Sequence, residues 1–154
     1  MKYDKIFLIG NPVAGGGALK KIEKAITILR QKGIPFEIFL SKKRGDAEAF
    51  AREIKESYND KILVIGCGGD GTYNEIVNGL ACSSVPFAIL PMGTTSVLAK
   101  ELDIPSQIDK AIDIALGGKV DRVHLGKIKN REKQKFFILM AGVGFDGYTV
   151  YNVN

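Results

Sequence analysis

Three turn-forming segments, each directly after an apolar run, carry the residues of this 154-residue chain best suited to chemistry. They are residues 11–17 (NPVAGGG), 66–72 (GCGGDGT) and 91–95 (PMGTT). Backbone N–H groups in glycine-rich turns and at helix N-termini bind anions. Any one of these segments could simply end a strand. Three of them together predict a site for a polyphosphate.

Two common nucleotide motifs fit these segments poorly. Residues 66–71 spell G-x-G-x-x-G, but a dinucleotide site also needs an acid at the end of the following strand, and residues 90–93 (LPMG) include none. Residues 10–15 have the spacing of a P-loop, but Gly16 and Gly17 stand where that motif needs lysine and a hydroxyl residue. Both motifs are therefore disfavoured.

Asp70, inside the second segment, is the residue that indicates which kind of phosphate site this is. A carboxylate beside phosphate oxygens is repulsive unless a cation lies between them, and Mg²⁺ has this role in phosphoryl transfer. The neighbouring glycines Gly68, Gly69 and Gly71 let the backbone come close to phosphate. The alternative is an aspartate that only forms a turn with its own backbone. The surrounding segments favour the metal-assisted phosphate site.

Hydrophobic periodicity predicts alternating strands and helices. The predicted strands are residues 3–10, 34–41, 61–67 and 85–91, and the predicted helices are residues 18–33, 45–57, 72–81, 94–102 and 106–116. Thr72 is expected to cap the third helix. This order predicts an α/β fold, a three-layer Rossmann-like domain with a parallel sheet, right-handed crossovers and helices on both faces. Ligands bind beyond the carboxyl ends of such strands, so the three segments should meet at one edge.

The pattern changes in the last quarter of the chain. Strands at residues 120–128 and 135–143, separated by a charged turn, predict an antiparallel β-hairpin. We therefore expect residues 1–119 to form the phosphate-binding α/β domain and residues 120–154 to begin a second, β-rich domain that is mostly absent. Open strand edges in such a unit could pair with a second copy of the chain and give a homodimer.

Composition limits the classes of function. Hydrophobic residues make up 45% of the chain and charged residues 25%, with a net charge of +5, values typical of a soluble globular protein. Two cysteines, no signal peptide and no run long enough to span a membrane indicate a cytoplasmic protein. Basic clusters such as residues 42–44 are expected to be solvated faces. Without interleaved aromatics they give no sign of nucleic-acid binding, whereas peripheral attraction to an anionic membrane stays open.

Four motifs resemble one known family. GGDGTYNEIVNGL at 68–80 resembles the signature of the diacylglycerol kinase catalytic domain, in a superfamily with bacterial lipid kinases, sphingosine kinases and, more distantly, NAD kinases. NPVAGGG is similar to the family's N-P-x-x-G loop, residues 91–105 to its P-x-G-T segment, and residues 141–150 to a stretch at the start of its second domain. The N-P-x-x-G and P-x-G-T loops favour the lipid kinase branch.

The resemblance implies ATP and Mg²⁺ as cofactors and phosphate transfer to a lipid hydroxyl. The residues that it implies at the nucleotide are Asn11, Pro12, Val13, Ala14, Gly15, Ser41, Gly68, Gly69, Asp70, Gly71, Thr72, Asn74, Glu75, Gly93 and Thr94. Asp70 is implied to organise the phosphates through Mg²⁺ or water. The sequence departs from the family at Ser96, where asparagine is usual, at Val97, where many bacterial members have aspartate, and at Gly147, where alanine is usual.

The resemblance also implies that the general base and most lipid contacts belong to a β-sandwich domain that this chain only begins. We therefore expect the ATP-binding part of a lipid kinase, with little activity alone. Two alternatives are an NAD kinase-like phosphotransferase and a non-catalytic nucleotide-binding or partner module.

Overall fold

The structure, a computed structural model, describes residues 2–58, 61–93 and 95–142. In chain order its elements are β1 (Lys5–Gly10), α1 (Ala18–Gln31), β2 (Phe36–Leu40), α2 (Asp46–Ser57), β3 (Ile62–Gly68), α3 (Asp70–Leu80), β4 (Phe87–Pro91), α4 (Val97–Glu101), α5 (Ile108–Gly117), β5 (Gly126–Lys129) and β6 (Gln134–Phe137). This order confirms the predicted alternation of strands and helices followed by a hairpin.

The first four strands form one parallel sheet in the order β2-β1-β3-β4. All seven residues of β3 are buried, as its continuous apolar run predicts for a strand covered on both faces. β2 lies at an edge, where Ile38 and Leu40 are 40% and 38% exposed. The parallel α/β architecture predicted from the sequence is therefore confirmed.

Alternating side chains of the two central strands divide the core into two layers. Ile6 and Leu8 of β1 pack with buried residues of α1 and α5, whereas Phe7 and Ile9 pack with buried residues of α2 and α3. Successive side chains of a strand point to opposite faces, so both faces of β1 must be covered. Each fully buried aliphatic or aromatic side chain of this kind contributes about 1.5–3 kcal/mol through removal from water.

The helices α2 and α3 approach most closely at Gly79. A Cβ atom added there would lie 2.5 Å from the carbonyl oxygen of Glu48 and 2.6 Å from the Cβ atom of Ala51. Only glycine fits this contact without displacing backbone. The close packing fixes α3, the helix that follows the second glycine-rich segment.

Several predicted boundaries were wrong, and three of them bear on the site or the hairpin. α3 begins at Asp70 with Gly69 at its N-cap, so Thr72 lies inside the first turn and does not cap the helix. α4 begins at Val97, because Ser96 is its N-cap and accepts a hydrogen bond from Ala99 N. The first hairpin strand covers only Gly126–Lys129. The preceding stretch lacks a buried face: Val120 and Val123 are 53% and 59% exposed.

The hairpin packs against α3 and α2. β5 and β6 pair antiparallel, and the side-chain amide of Asn78 bonds both backbone groups of Phe136. Lys135 also forms a salt bridge with Glu48. The second hairpin strand, expected over residues 135–143, covers only Gln134–Phe137, so that prediction was too long, and residue 143 lies outside the described residues. No helix within the described ranges combines the length and the apolar character needed to cross a membrane.

Candidate functional site

The predicted segments meet just beyond the carboxyl ends of the parallel strands. Asn11 N, directly after β1, donates to Cys67 O in β3 (2.9 Å). Met92 N, directly after β4, donates to Gly68 O at the end of β3 (3.0 Å). These hydrogen bonds extend the strand ladder by one step and hold the three segments side by side at one edge of the sheet.

A cavity of about 480 Å³ opens on the β2 side of this edge, within the usual range for small-molecule sites. We call it the β2-side cavity. Its lining residues are Asn11, Val13, Ser41, Lys42, Lys43, Arg44, Ala47, Gly69, Gly71, Thr72, Asn74 and Glu75. Most of them were assigned to the nucleotide by the sequence resemblance.

A second cavity, of about 370 Å³, opens on the β4 side of the same edge. We call it the β4-side cavity. Its lining residues are Ala14, Gly15, Gly16, Lys21, Gly69, Met92, Gly93, Thr95 and Ser96. Gly69 lines both cavities, so the second glycine-rich segment lies at their junction.

Three of the expected nucleotide residues, Pro12, Gly68 and Asp70, line neither cavity. Gly68 has a structural role, because a Cβ atom there would lie 2.5 Å from the hydroxyl oxygen of Thr72. Thr94 lies outside the described residues.

The carboxylate of Asp70 is bonded to the start of α4. It accepts hydrogen bonds from the Ser96 hydroxyl (3.2 Å), from Val97 N (2.9 Å) and from Leu98 N (3.1 Å). The first N–H groups of a helix have no partner within the helix, so an acceptor supplied from outside stabilises its start. Asp70 thus caps α4 from the first turn of α3, and its hydrogen bonds join the second and third segments.

The described residues offer few ligands for the implied Mg²⁺. Across these residues, no group of three or more His, Cys, Asp or Glu side chains is placed to hold a metal ion. An ionised carboxylate offers about four lone-pair positions, and Asp70 already accepts three hydrogen bonds. The described part of the chain therefore does not by itself form a Mg²⁺ site made only of protein ligands.

Asn11 fixes the first segment and connects it to α3. Its side-chain oxygen accepts a hydrogen bond from Val13 N (3.1 Å), which closes a turn. Its amide nitrogen lies 3.4 Å from the hydroxyl of Thr72, a buried residue in the first turn of α3. Asn11 therefore connects the first segment to α3, and both of them line the β2-side cavity.

Tyr73 supports the site from the protein interior, a role that the sequence did not reveal. Its ring is fully buried, and its hydroxyl lies 2.7 Å from Gly68 O and 3.0 Å from Leu90 O. Burial raises the pKa of this hydroxyl, so it stays protonated and acts as a donor. The tyrosine thus connects the carboxyl ends of β3 and β4.

Sequence reasoning also missed four cationic residues that line the cavities. Lys21 lines the β4-side cavity, and its ammonium group donates to Met92 O (2.9 Å), which connects α1 to the third segment. Residues 42–44, expected to be a solvated face, are exposed but line the β2-side cavity. Their position directly after β2 was the available signal, since the carboxyl ends of all parallel strands share one edge.

The fold and the site together define an α/β domain with glycine-rich loops at the carboxyl edge of a parallel sheet. The family model of the diacylglycerol kinase catalytic domain matches residues 5–128, so the chain belongs to that family.

Similar proteins agree with this assignment. A diacylglycerol kinase from Staphylococcus epidermidis is 36% identical over 140 residues, which cover 89% of this chain and 42% of that protein. One from Staphylococcus saprophyticus is 33% identical over 141 residues, 89% of this chain and 44% of that protein. The solved structure of a diacylglycerol kinase from Bacillus anthracis superposes with a TM-score of 0.60 at 33% identity, over 74% of this chain and 43% of that one. The chain thus spans less than half the length of these relatives.

Proposed function

We propose that this chain is the ATP-binding part of a lipid kinase, which transfers the γ-phosphate of ATP to a lipid hydroxyl together with a second, β-rich domain. The observation that carries the proposal is the meeting of the three turn-forming segments at two cavities that share Gly69. Phosphoryl transfer depends mainly on positioning and on electrostatic stabilisation. Backbone N–H groups of glycine loops supply both at fixed positions.

The nucleotide occupies the β2-side cavity in this proposal. Asn11, Ser41 and Thr72 offer polar side chains there, and Gly69 and Gly71 let the backbone come close to phosphate oxygens. Gly15 and Gly93, in the β4-side cavity, lie where the chain of phosphates would continue past Gly69.

Mg²⁺ would neutralise phosphate charge when bound. Since the described residues do not form a complete protein site for it, phosphate oxygens and water would supply most of its ligands, as is common for this ion. The role of Asp70 is then indirect. It holds the start of α4, and with it the third segment, in place beside the phosphates.

The acceptor would be a lipid hydroxyl, and the proton of that hydroxyl would pass to a group outside the described residues. Residues 1–119 then form the nucleotide domain, and residues 120–154 begin the domain that brings the lipid. Access to a lipid requires peripheral contact with a membrane surface, and the net charge of +5 favours an anionic one.

Calorimetric titration of the chain with Mg-ATP, Mg-ADP and NAD tests the proposal. We expect Mg-ATP and Mg-ADP to bind and NAD to bind far more weakly. Binding of NAD together with formation of NADP from NAD and ATP would support the NAD kinase-like alternative instead. Absence of binding by all three nucleotides would reject a nucleotide function for this edge of the sheet.

A further inference from the structure

The turn between β2 and α2 places three cations beside the glycine-rich segments. Lys42, Lys43 and Arg44 are exposed and line the β2-side cavity. Among the residues that the structure describes, no carboxylate lies within 4.0 Å of any of their charged groups; every salt bridge there involves other cations. Apart from a Coulombic attraction between the Asp46 carboxylate and the two lysines, their positive charge is therefore available to a ligand.

Asp46 gives this turn a defined shape. One oxygen of its carboxylate accepts hydrogen bonds from Lys42 N (2.9 Å) and from Lys43 N (3.0 Å). The first of these bonds is the main reason why the pKa of Asp46 lies below its ordinary value. The turn is also anchored at its start, where Ser41 N donates to Gly10 O at the end of β1 (2.9 Å).

The opposite wall of the cavity is formed by α3 and its N-cap. Gly69 and Gly71 present backbone there, and Glu75 is the single carboxylate among the lining residues. Three cations therefore face one anion across the cavity. A cavity with excess positive charge concentrates anionic ligands and favours those with more negative charge.

We propose that Lys42, Lys43 and Arg44 form a cationic wall that binds the phosphate chain of a nucleoside polyphosphate, with an affinity that rises with the number of phosphates. This inference rests on the proposed nucleotide function and adds to it the residues that select for charge. Arginine and lysine both pair well with phosphate oxygens, arginine in a bidentate manner. Asp46 is a positioning residue, which acts through the turn that it closes.

The test compares two triple variants with the same change in net charge. The wall variant is Lys42→Gln/Lys43→Gln/Arg44→Gln. The control variant is Lys127→Gln/Lys129→Gln/Lys133→Gln, at exposed lysines of the hairpin that line neither cavity. ATP, ADP and AMP are titrated into each protein and into the unchanged chain at low and at physiological salt, and circular dichroism checks that each variant is folded.

We expect the wall variant to lose about tenfold or more in ATP affinity and at most about threefold in AMP affinity, since each exposed charge pair contributes up to about 1 kcal/mol. The control variant should bind ATP as the unchanged chain does. If the wall variant binds ATP as tightly as the control variant, the cationic wall is rejected and the nucleotide function stands. If the unchanged chain binds no nucleotide, the proposed function itself is rejected. If the wall variant does not fold, the single variant Arg44→Glu replaces it and Lys129→Glu becomes the control. The ATP affinities of these two single variants are then compared in the same way.

Discussion

The carboxylate of Asp70 lies 2.9 Å from the backbone nitrogen of Val97 and caps a helix that begins 27 residues later in the chain. Its other oxygen accepts from Leu98 N and from the Ser96 hydroxyl. The hydroxyl of Ser96 also caps α4 by accepting from Ala99 N. The two residues together hold the third segment against the second.

Replacing Asp70 should therefore loosen α4. Asp70→Ala leaves the first N–H groups of α4 without their acceptor, and we expect it to lower the free energy of unfolding by about 1–2 kcal/mol. Asp70→Asn keeps one acceptor oxygen and should cost less. Urea denaturation measures both. Asp113→Ala, which removes an exposed carboxylate paired with Lys32, is the control and should change stability by less than about 1 kcal/mol. An equal effect of the three substitutions would contradict the capping role.

The close contact of α2 with α3 should make Gly79 intolerant of a side chain. Gly79→Ala would push its Cβ atom into the backbone of Glu48, so we expect a loss of about 1–3 kcal/mol in the free energy of unfolding. Gly117→Ala, at the end of α5, is the matched control, because nothing lies within 4 Å of its added Cβ atom. Thermal denaturation of both variants checks this, and equal stability of the two would refute the packing argument.

Asn78 should hold the hairpin against α3. Its amide bonds Phe136 N and Phe136 O at 2.9 Å each, so Asn78→Leu leaves both backbone groups without this partner. We expect a loss of about 1–3 kcal/mol and faster hydrogen exchange at the Phe136 amide. The control is Lys135→Met, which removes only the partly exposed salt bridge with Glu48. Exchange at Phe136 that is unchanged in Asn78→Leu would show that the hairpin is held elsewhere.

The two cysteines should differ sharply in reactivity. Burial raises the pKa of the Cys67 thiol, so it stays neutral, whereas Cys82 is exposed. The thiolate is the nucleophile, so iodoacetamide at neutral pH should label Cys82 and leave Cys67 unmodified until urea unfolds the chain. Peptide mass spectrometry measures the labelled fractions. Equal labelling rates in the folded protein would contradict the buried position of Cys67.

The same burial predicts a loss of stability in alkali. The folded-state pKa of Cys67 lies above its unfolded value, so its contribution is fully present below about pH 8.5 and is lost as the pH rises further. Tyr73 adds a loss of the same sign at a higher pH, because burial raises its pKa as well. Urea denaturation of the unchanged chain and of Cys67→Ala between pH 7 and pH 10 measures this. The variant should lose less stability over that range, and identical pH profiles would refute the contribution of Cys67.

The fold was predictable because local patterns determine it. The apolar run of β3 is long enough to mark a central strand, and the spacing of Ile22, Ala25 and Leu29 marks the buried face of α1. The meeting of the three segments followed from their positions after parallel strands. These features depend only on neighbours in the sequence and on one rule of sheet geometry.

The side-chain contacts that join distant elements at the site could not be predicted from the sequence in this way. Asp70 looked like a residue that faces phosphate, and its bonds to Val97 and Leu98 depend on how α3 and α4 are placed in space. The position of Tyr73 next to the ends of β3 and β4 likewise depends on how α3 is placed against the sheet. The basic turn was missed because a run of charges is usually solvated, and its place at the cavity is fixed by tertiary structure.

Backbone amide NMR of the chain during titration with Mg-ATP reports directly on where the nucleotide binds. If it binds at the carboxyl edge of the sheet, the largest shifts should fall on residues 11–17, 41–46, 66–75 and 92–95, with little change in the β5–β6 hairpin. Mg-ADP should shift the same residues, and NAD should not. Shifts confined to other parts of the chain, or none at saturating Mg-ATP, would contradict the assignment of this edge as the ATP site.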